Sequence, residues 1–301
     1  MINRTRAWLH AFRVRTLPLA LSSIIMASML AAANHSFSWS ITILASLTTL
    51  LLQILSNLSN DYGDAASGID NDDRVGPVRA IQSGAISAEE MKQMMILFVV
   101  LAMCTGLLLV YQGTHHLEMS YGLIFIMLGI AAITAAIKYT VGKNPYGYRG
   151  LGDFYVFMFF GVIGTLGTYF LHTGTLPFSI VFPAISVGLL SVGVLNVNNM
   201  RDIINDEQSG KRTIVVILGS RVAKTYHLLL IGIALLCALI YVVINYSSLY
   251  NFLFLIAFIP LVFHLRRVWA NNEPVLLDPE LKILALCTLL FSVLLGLGFM
   301  L

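Results

Sequence analysis

Nine long apolar runs divide the chain, near residues 17–33, 41–58, 93–111, 119–137, 154–171, 178–195, 227–244, 248–263 and 283–300. Each is long enough to cross, or nearly cross, a hydrocarbon core as a helix, the eighth being the shortest. Polar residues gather between these runs. The pattern predicts an all-α, polytopic membrane bundle of about nine transmembrane helices, built as a single membrane-embedded domain over residues 1–301.

The placement of charge orients that bundle. An N-terminal arm carries Arg4, Arg6, Arg13 and Arg15, and the other Lys and Arg residues fall in 59–92, 138–153, 196–226 and 264–282. The loops at 112–118, 172–177 and 245–247 hold none. All 18 basic residues therefore lie on one face of a nine-span arrangement, which predicts a cytoplasmic N-terminus in an inner, cell-type membrane. Of the 15 acids, only Glu118 falls on the other face.

Composition agrees with a membrane protein: 58% of the 301 residues are hydrophobic, 11% are charged, and mean hydropathy is +0.84. The net charge of +3 gives no reason to expect a nucleic-acid partner. Cys104, Cys237 and Cys287 sit inside apolar runs without metal or redox spacing and read as buried small hydrophobes. The first apolar run follows basic residues but lacks a small-residue cleavage site, so it reads as a span. No Asp, Glu, Lys or Arg stands near the middle of any run. A charge there would cost roughly 2.5–3.5 kcal/mol, and ion carriers commonly accept that cost to line a path. Its absence argues against a transporter.

Two polar clusters stand out. The stretch 57–84, NLSNDYGDAASGIDNDDRVGPVRAIQSG, holds Asp61, Asp64, Asp70, Asp72 and Asp73, followed by Arg74 and Arg79. Asp61 and Asp64 extend the C-terminal end of a helix, where the dipole disfavours an acid, and Asn57, Asn60 or Asp61, and Asp64 recur at helical spacing. The stretch from 196, NVNNMRDIINDEQSGKRT, repeats the arrangement: Asn198, Asp202 and Asp206 are spaced four apart, on one helical face, with Lys211 and Arg212 behind. The clusters follow the second and sixth runs, as a four-helix unit used twice with a ninth helix appended would place them. Oxygen ligands crowded against their own repulsion suit a hard cation such as Mg2+. One such cluster reads equally well as a solvated acidic loop; two at the same end of equivalent helices read as one divided site.

Paired acids with trailing cations suit a metal-bound diphosphate, and the apolar bundle suits a long lipid tail. The cation would also make the diphosphate a better leaving group. No P-loop, HExxH or nucleophile elbow is present, and His115–His116 reads as a solvated outer pair. Here the motifs become specific. Asn60-Asp61-x-x-Asp64, and Asp202-x-x-x-Asp206 leading into Gly210-Lys211-Arg212-Thr213, resemble the two motifs of the UbiA superfamily of intramembrane aromatic prenyltransferases, whose nine helices match nearly the whole chain. Arg15-Thr16-Leu17-Pro18, the segment 76–84 and the segment 145–153 (PYGYRGLGD) are most similar to the branch that prenylates 1,4-dihydroxy-2-naphthoate in menaquinone synthesis.

The resemblance implies transfer of a polyprenyl group from polyprenyl diphosphate to dihydroxynaphthoate, with loss of CO2, giving demethylmenaquinone. It implies Mg2+ at Asn60, Asp61, Asp64, Asn198, Asp202 and Asp206, with Arg79 and Lys211 gripping diphosphate and Asp64, Asp202 and Asp206 carrying catalysis. The broad family places a further acid four residues after the second. Gly68 stands there in this chain, so Asp70 is read as its substitute. Arg15, Gln82, Tyr139, Tyr146, Arg149 and Arg212 are the remaining substrate-binding candidates. Arg13 or Arg15 would meet an acceptor carboxylate or serve as positive-inside anchors, and Tyr146 and Tyr148 would touch the acceptor or sit as interfacial aromatics. Tyr139, Tyr146, Phe154 and Tyr155 offer faces for a carbocation. Other acceptors (4-hydroxybenzoate, homogentisate or haem) and a divalent-cation transporter remain as alternatives.

Overall fold

The computed structural model describes residues 4–68 and 79–301. Among these, nine helices are long and apolar enough to cross a membrane. They are α1 (Arg4–Ala33), α2 (Trp39–Ala66), α3 (Ala88–Thr114), α4 (Met119–Lys138), α5 (Gly152–Thr173), α6 (Phe178–Arg201), α7 (Ser220–Ile244), α8 (Leu249–Ala270) and α9 (Pro274–Met300). Long apolar segments must satisfy their backbone internally in lipid, which leaves helices as the solution. The protein is an all-helical, multi-pass membrane protein, and no strand occurs among the described residues.

α1 packs on both α2 and α9, α2 on α3, α5 on α6, and α6 on α7. The larger buried cluster joins α1 with α5 to α9, and a smaller one joins the N-terminal arm with α2 and α3. Only 6% of the α4 window is buried, against 56% for α6, so α6 is packed on most sides while α4 divides its surface between the outside and the central cavity.

Three departures from the sequence pattern bear on function. The N-terminal arm is itself helical from Arg4 to Phe12, then turns at Arg13, whose φ of 48° lies in the left-handed region, before α1 resumes at Leu17. The eighth span, short by hydropathy, runs on to Ala270 through Arg266 and Arg267, both exposed. Finally, the middle of α5 widens into a π-helix over Phe157–Gly167. It packs there on α6 through glycines: a methyl group on Gly161 would collide with Gly188. Widened helical turns of this kind gather at functional sites, and this one borders the central cavity described below.

Candidate active site

A cavity of about 970 Å3 opens between the helices, and both acid clusters line it, through Asn60, Asp61 and Asp64 on one side and Asn198, Asp202 and Asp206 on the other. Its remaining wall is mostly apolar, from α1 to α6 with a strip of α9 at Leu281 and Ala285. Polar chemistry thus stands at one end of a greasy chamber.

The first cluster belongs to the last turns of α2, and is buried: Asp61 is 2% and Asp64 5% exposed. Burial there depends on Gly63, where a Cβ would lie 2.5 Å from the Thr140 carbonyl oxygen, so the segment after α4 presses directly on the acid turn. Arg13 Nη2 reaches Asp61 Oδ1 at 2.8 Å, and Arg79 pairs with the same oxygen. Arg79 also lies 3.5 Å from Asp64 Oδ2. The Tyr148 hydroxyl donates to Asp64 Oδ1 at 2.6 Å, and Thr140 Oγ1 donates to Asn60 Oδ1 at 3.4 Å. Asn57 instead braces the arm, donating to the Phe12 carbonyl at 3.0 Å.

The second cluster differs from its expected single helical face. The α6 helix ends at Arg201, Asp202 takes φ −95° and ψ 6°, and a short helix follows over Ile203–Gln208. The break is bridged, because Asp206 N–H still donates to the Asp202 carbonyl at 2.9 Å, and all three residues keep to the cavity wall. Asp202 is held by its neighbour Arg201, with Nε on Oδ1 at 2.8 Å and Nη2 on Oδ2 at 2.7 Å. Lys211 Nζ lies 3.2 Å from Asp206 Oδ1 and 5.7 Å from the centre of the Tyr148 ring. Tyr148 therefore touches both clusters.

Four carboxylates, Asp61, Asp64, Asp202 and Asp206, are packed against Arg13, Arg79, Arg201 and Lys211. Burial opposes the Lys211 charge, yet Asp206, Asp64 and Asp202 hold its ammonium well above the usual lysine range. Burial, with the charges of Asp202 and Asp64, pushes the Asp206 carboxyl up to about 6 in spite of Lys211. Asp206 Oδ2 is buried without a hydrogen-bond partner. An oxygen-only donor set that includes an orphaned carboxylate oxygen fits a hard divalent cation. Among the described residues no three such side chains converge as a ready-made metal cluster, since protein cations hold Asp61, Asp202 and Asp206 and Arg79 stands beside Asp64. Asp70 lies outside the described residues.

The other candidates divide. Arg79, Lys211, Arg15, Tyr139 and Tyr146 line the cavity. Burial pushes the Tyr139 phenol up to about 12 and raises that of Tyr146 as well, so both remain protonated. Tyr146 stacks on Tyr155 with ring centres 3.9 Å apart and meets Tyr139 edge-on at 5.3 Å. Phe154, 58% exposed, meets Tyr155 edge-on at 5.5 Å but is not part of the cavity wall. Arg149 and Arg212 are exposed and are not part of the cavity wall. A tight turn, closed by the Thr213 N–H on the Lys211 carbonyl at 3.1 Å, leaves Lys211 on the cavity wall and Arg212 exposed. Gln82 accepts from the Arg79 N–H at 3.3 Å and supports that residue from outside the wall. Sequence reasoning passed over Arg201, Tyr148 as a partner of Asp64, and Asp278, which accepts from Arg201 Nη1 at 2.6 Å.

This geometry is that of a membrane-embedded prenyltransferase. The UbiA prenyltransferase family matches residues 20–277, and the chain belongs to that family. It is 44% identical over 301 residues to 1,4-dihydroxy-2-naphthoate octaprenyltransferase of Haemophilus influenzae, covering 99% of this chain and 97% of the relative. The enzyme of that name from Escherichia coli is also 44% identical, with 99% and 96% covered. Among solved structures, a UbiA homologue from Archaeoglobus fulgidus bound to GPP and Mg2+ superposes with a TM-score of 0.68 at 15% identity, covering 98% of this chain and 99% of that one. The apo UbiA homologue from Aeropyrum pernix gives 0.67 at 15% identity, with 99% and 98% covered.

Proposed function

We propose that this chain transfers a polyprenyl group from polyprenyl diphosphate to 1,4-dihydroxy-2-naphthoate, with decarboxylation, at a site facing the cytoplasm of the cell (inner) membrane. The observation that carries the reading is the convergence of both acid clusters, Arg79 and Lys211 on one apolar cavity. The names of the 44%-identical relatives support the choice of acceptor, and the one-sided distribution of Lys and Arg supports the orientation.

Asn60, Asp61, Asp64, Asn198, Asp202 and Asp206 would hold Mg2+, which when bound supplies positive charge to the diphosphate as its bond to the allylic carbon breaks. Arg79 and Lys211 add fixed positive charge where the leaving oxygen becomes anionic. They lie beside these acids in the substrate-free protein and exchange that partner for the diphosphate. Tyr139, Tyr146 and Tyr155 present π faces to the allylic cation. The apolar wall from α1 to α6 receives the prenyl tail and keeps water from the cation. The ring carbon bearing the carboxylate forms the new C–C bond, and the electrons of its bond to CO2 return to the ring as CO2 leaves. The product is the reduced, quinol form of demethylmenaquinone, with diphosphate released.

Purified protein given one polyprenyl diphosphate and a panel of aromatic acids tests this by mass spectrometry. We expect a prenylated naphthoquinol that has lost the acceptor carboxylate. Equal or better turnover of 4-hydroxybenzoate would reject the naphthoate assignment.

A further inference from the structure

Arg201 is a buried guanidinium, 2% exposed, at the end of α6. It covers both oxygens of Asp202, and Nη2 also donates to Asn198 Oδ1 at 3.0 Å. It thus covers the two cluster residues nearest to it. Nη1 points the other way, to Asp278 Oδ1 at 2.6 Å. Asp278 follows the opening turn of α9, Pro274–Leu277, 77 residues from Arg201 in the chain, and is not part of the cavity wall.

A cation can take Asp202 only if Arg201 gives up part of its hold. A buried guanidinium that lets go of its sole anion is left uncompensated, which is strongly unfavourable. Asp278 removes that obstacle, because Arg201 keeps one close carboxylate whichever way Asp202 turns. The first cluster has the same logic: Arg79 is shared between Asp61 and Asp64, so it too retains a partner when one acid is claimed. Asp278 is itself tethered on its other oxygen, where Arg15 Nη1 stands at 3.4 Å. The pair therefore links the start of α9 and the N-terminal arm to the second acid cluster.

We propose that Asp278 is a positioning residue for the reaction: it holds Arg201 in place as an alternative counterion and so lets Asp202 pass to the divalent cation. The inference rests on the functional reading above, in which Asp202 is a cation ligand. Asp278 touches neither substrate nor cation.

The test is direct Mn2+ binding, followed by electron paramagnetic resonance on the full-length protein in nanodiscs, with the metal-free melting temperature measured alongside. With Asp278→Asn, Arg201 has only Asp202 left to pair with, and we expect Mn2+ affinity to fall about tenfold, within the range of coupling inside one charge network. Asp278→Glu should restore affinity to near the wild-type value. Arg201→Gln uncovers Asp202 and should bind Mn2+ more tightly than wild type, a result that serves if Asp278→Asn does not fold. Unchanged Mn2+ affinity in folded Asp278→Asn, with only a lowered melting temperature, would make the residue structural and overturn the proposal. Equal or weaker binding in Arg201→Gln would overturn it as well. Absence of Mn2+ binding by the wild type would overturn the cation site of the functional reading itself.

Discussion

The Tyr148 hydroxyl donates to Asp64 across 84 positions of sequence at 2.6 Å, and the Tyr148 carbonyl accepts from the Arg212 N–H at 3.0 Å. One residue of the 145–153 segment thereby fixes the orientation of a carboxylate in the first cluster and docks the loop that follows the second. Tyr148→Phe removes the bond to Asp64 and leaves the ring in place beneath Lys211. A hydrogen bond to a charged group contributes about 1.5–3 kcal/mol, so we expect kcat to drop by roughly tenfold to a hundredfold. The melting temperature should fall by no more than the loss of that one bond accounts for. A Tyr148→Phe enzyme with wild-type kcat would show that Asp64 is oriented without it.

The Asp206 carboxyl, raised by burial to about 6, gives a signed pH dependence. An acid whose folded pKa exceeds its unfolded value contributes stability that is full below the unfolded pKa and is lost as pH rises through the folded one. Without divalent cation, the protein should therefore lose stability between about pH 4 and pH 7 through this group, on the order of 3 kcal/mol. Cation binding should weaken in the opposite direction, as pH falls through about 6 and Asp206 takes up its proton. Melting temperatures and Mn2+ titrations from pH 5 to pH 8 measure both. Asp206→Asn should flatten both slopes, and slopes identical to wild type would place the titrating group elsewhere.

Much of this arrangement is visible in the sequence because it is local. Apolar runs mark the spans, and Asp61, Asp64, Asp202 and Asp206 announce themselves by standing at the ends of such runs. The missed contacts are those that only packing creates. Nothing near Asp278 in sequence shows that it meets Arg201, and the spacing of Asn198, Asp202 and Asp206 conceals the helix break at Asp202 because that break preserves the bond from Asp206 N–H. Hydropathy also shortened α8, since it registers the charges of Arg266 and Arg267 but not their apolar stems.

The histidines are a further instance. Scattered in sequence, His227 and His264 meet Nε2 to Nε2 at 2.9 Å, and His264 Nδ1 lies 2.6 Å from Glu280 Oε2, with Arg267 on the other carboxylate oxygen. This chain joins α7, α8 and α9 and is not part of the cavity wall, so its role is to hold those helices together. Glu280→Gln should lower stability by about 1–3 kcal/mol while leaving the KM for both substrates unchanged. A changed KM at unchanged stability would contradict that assignment.

Orientation in the membrane rests on the basic residues alone, and thiol labelling tests it. Single cysteines introduced at Glu118 and Thr175, in a background lacking Cys104, Cys237 and Cys287, should react with an impermeant reagent added outside intact cells. Cysteines at Ser67 and Gln208 should react only after the membrane is opened. Outside labelling at Ser67 would reverse the topology and place the acid clusters on the wrong face.

The central claim is that the two acid clusters act as one site on one diphosphate, and a double-mutant cycle tests it most directly. Steady-state rates with Mg2+ titration would be measured for Asp64→Asn, Asp202→Asn and the double variant, each with its metal-free melting temperature. Each single variant should lose about a thousandfold in turnover, roughly 4 kcal/mol of transition-state stabilisation, while remaining folded. The double variant should lose far less than the product of the two single losses, because both carboxylates serve the same leaving group. Near-wild-type turnover by either single variant at saturating Mg2+, or fully multiplicative losses in the double, would contradict a shared site.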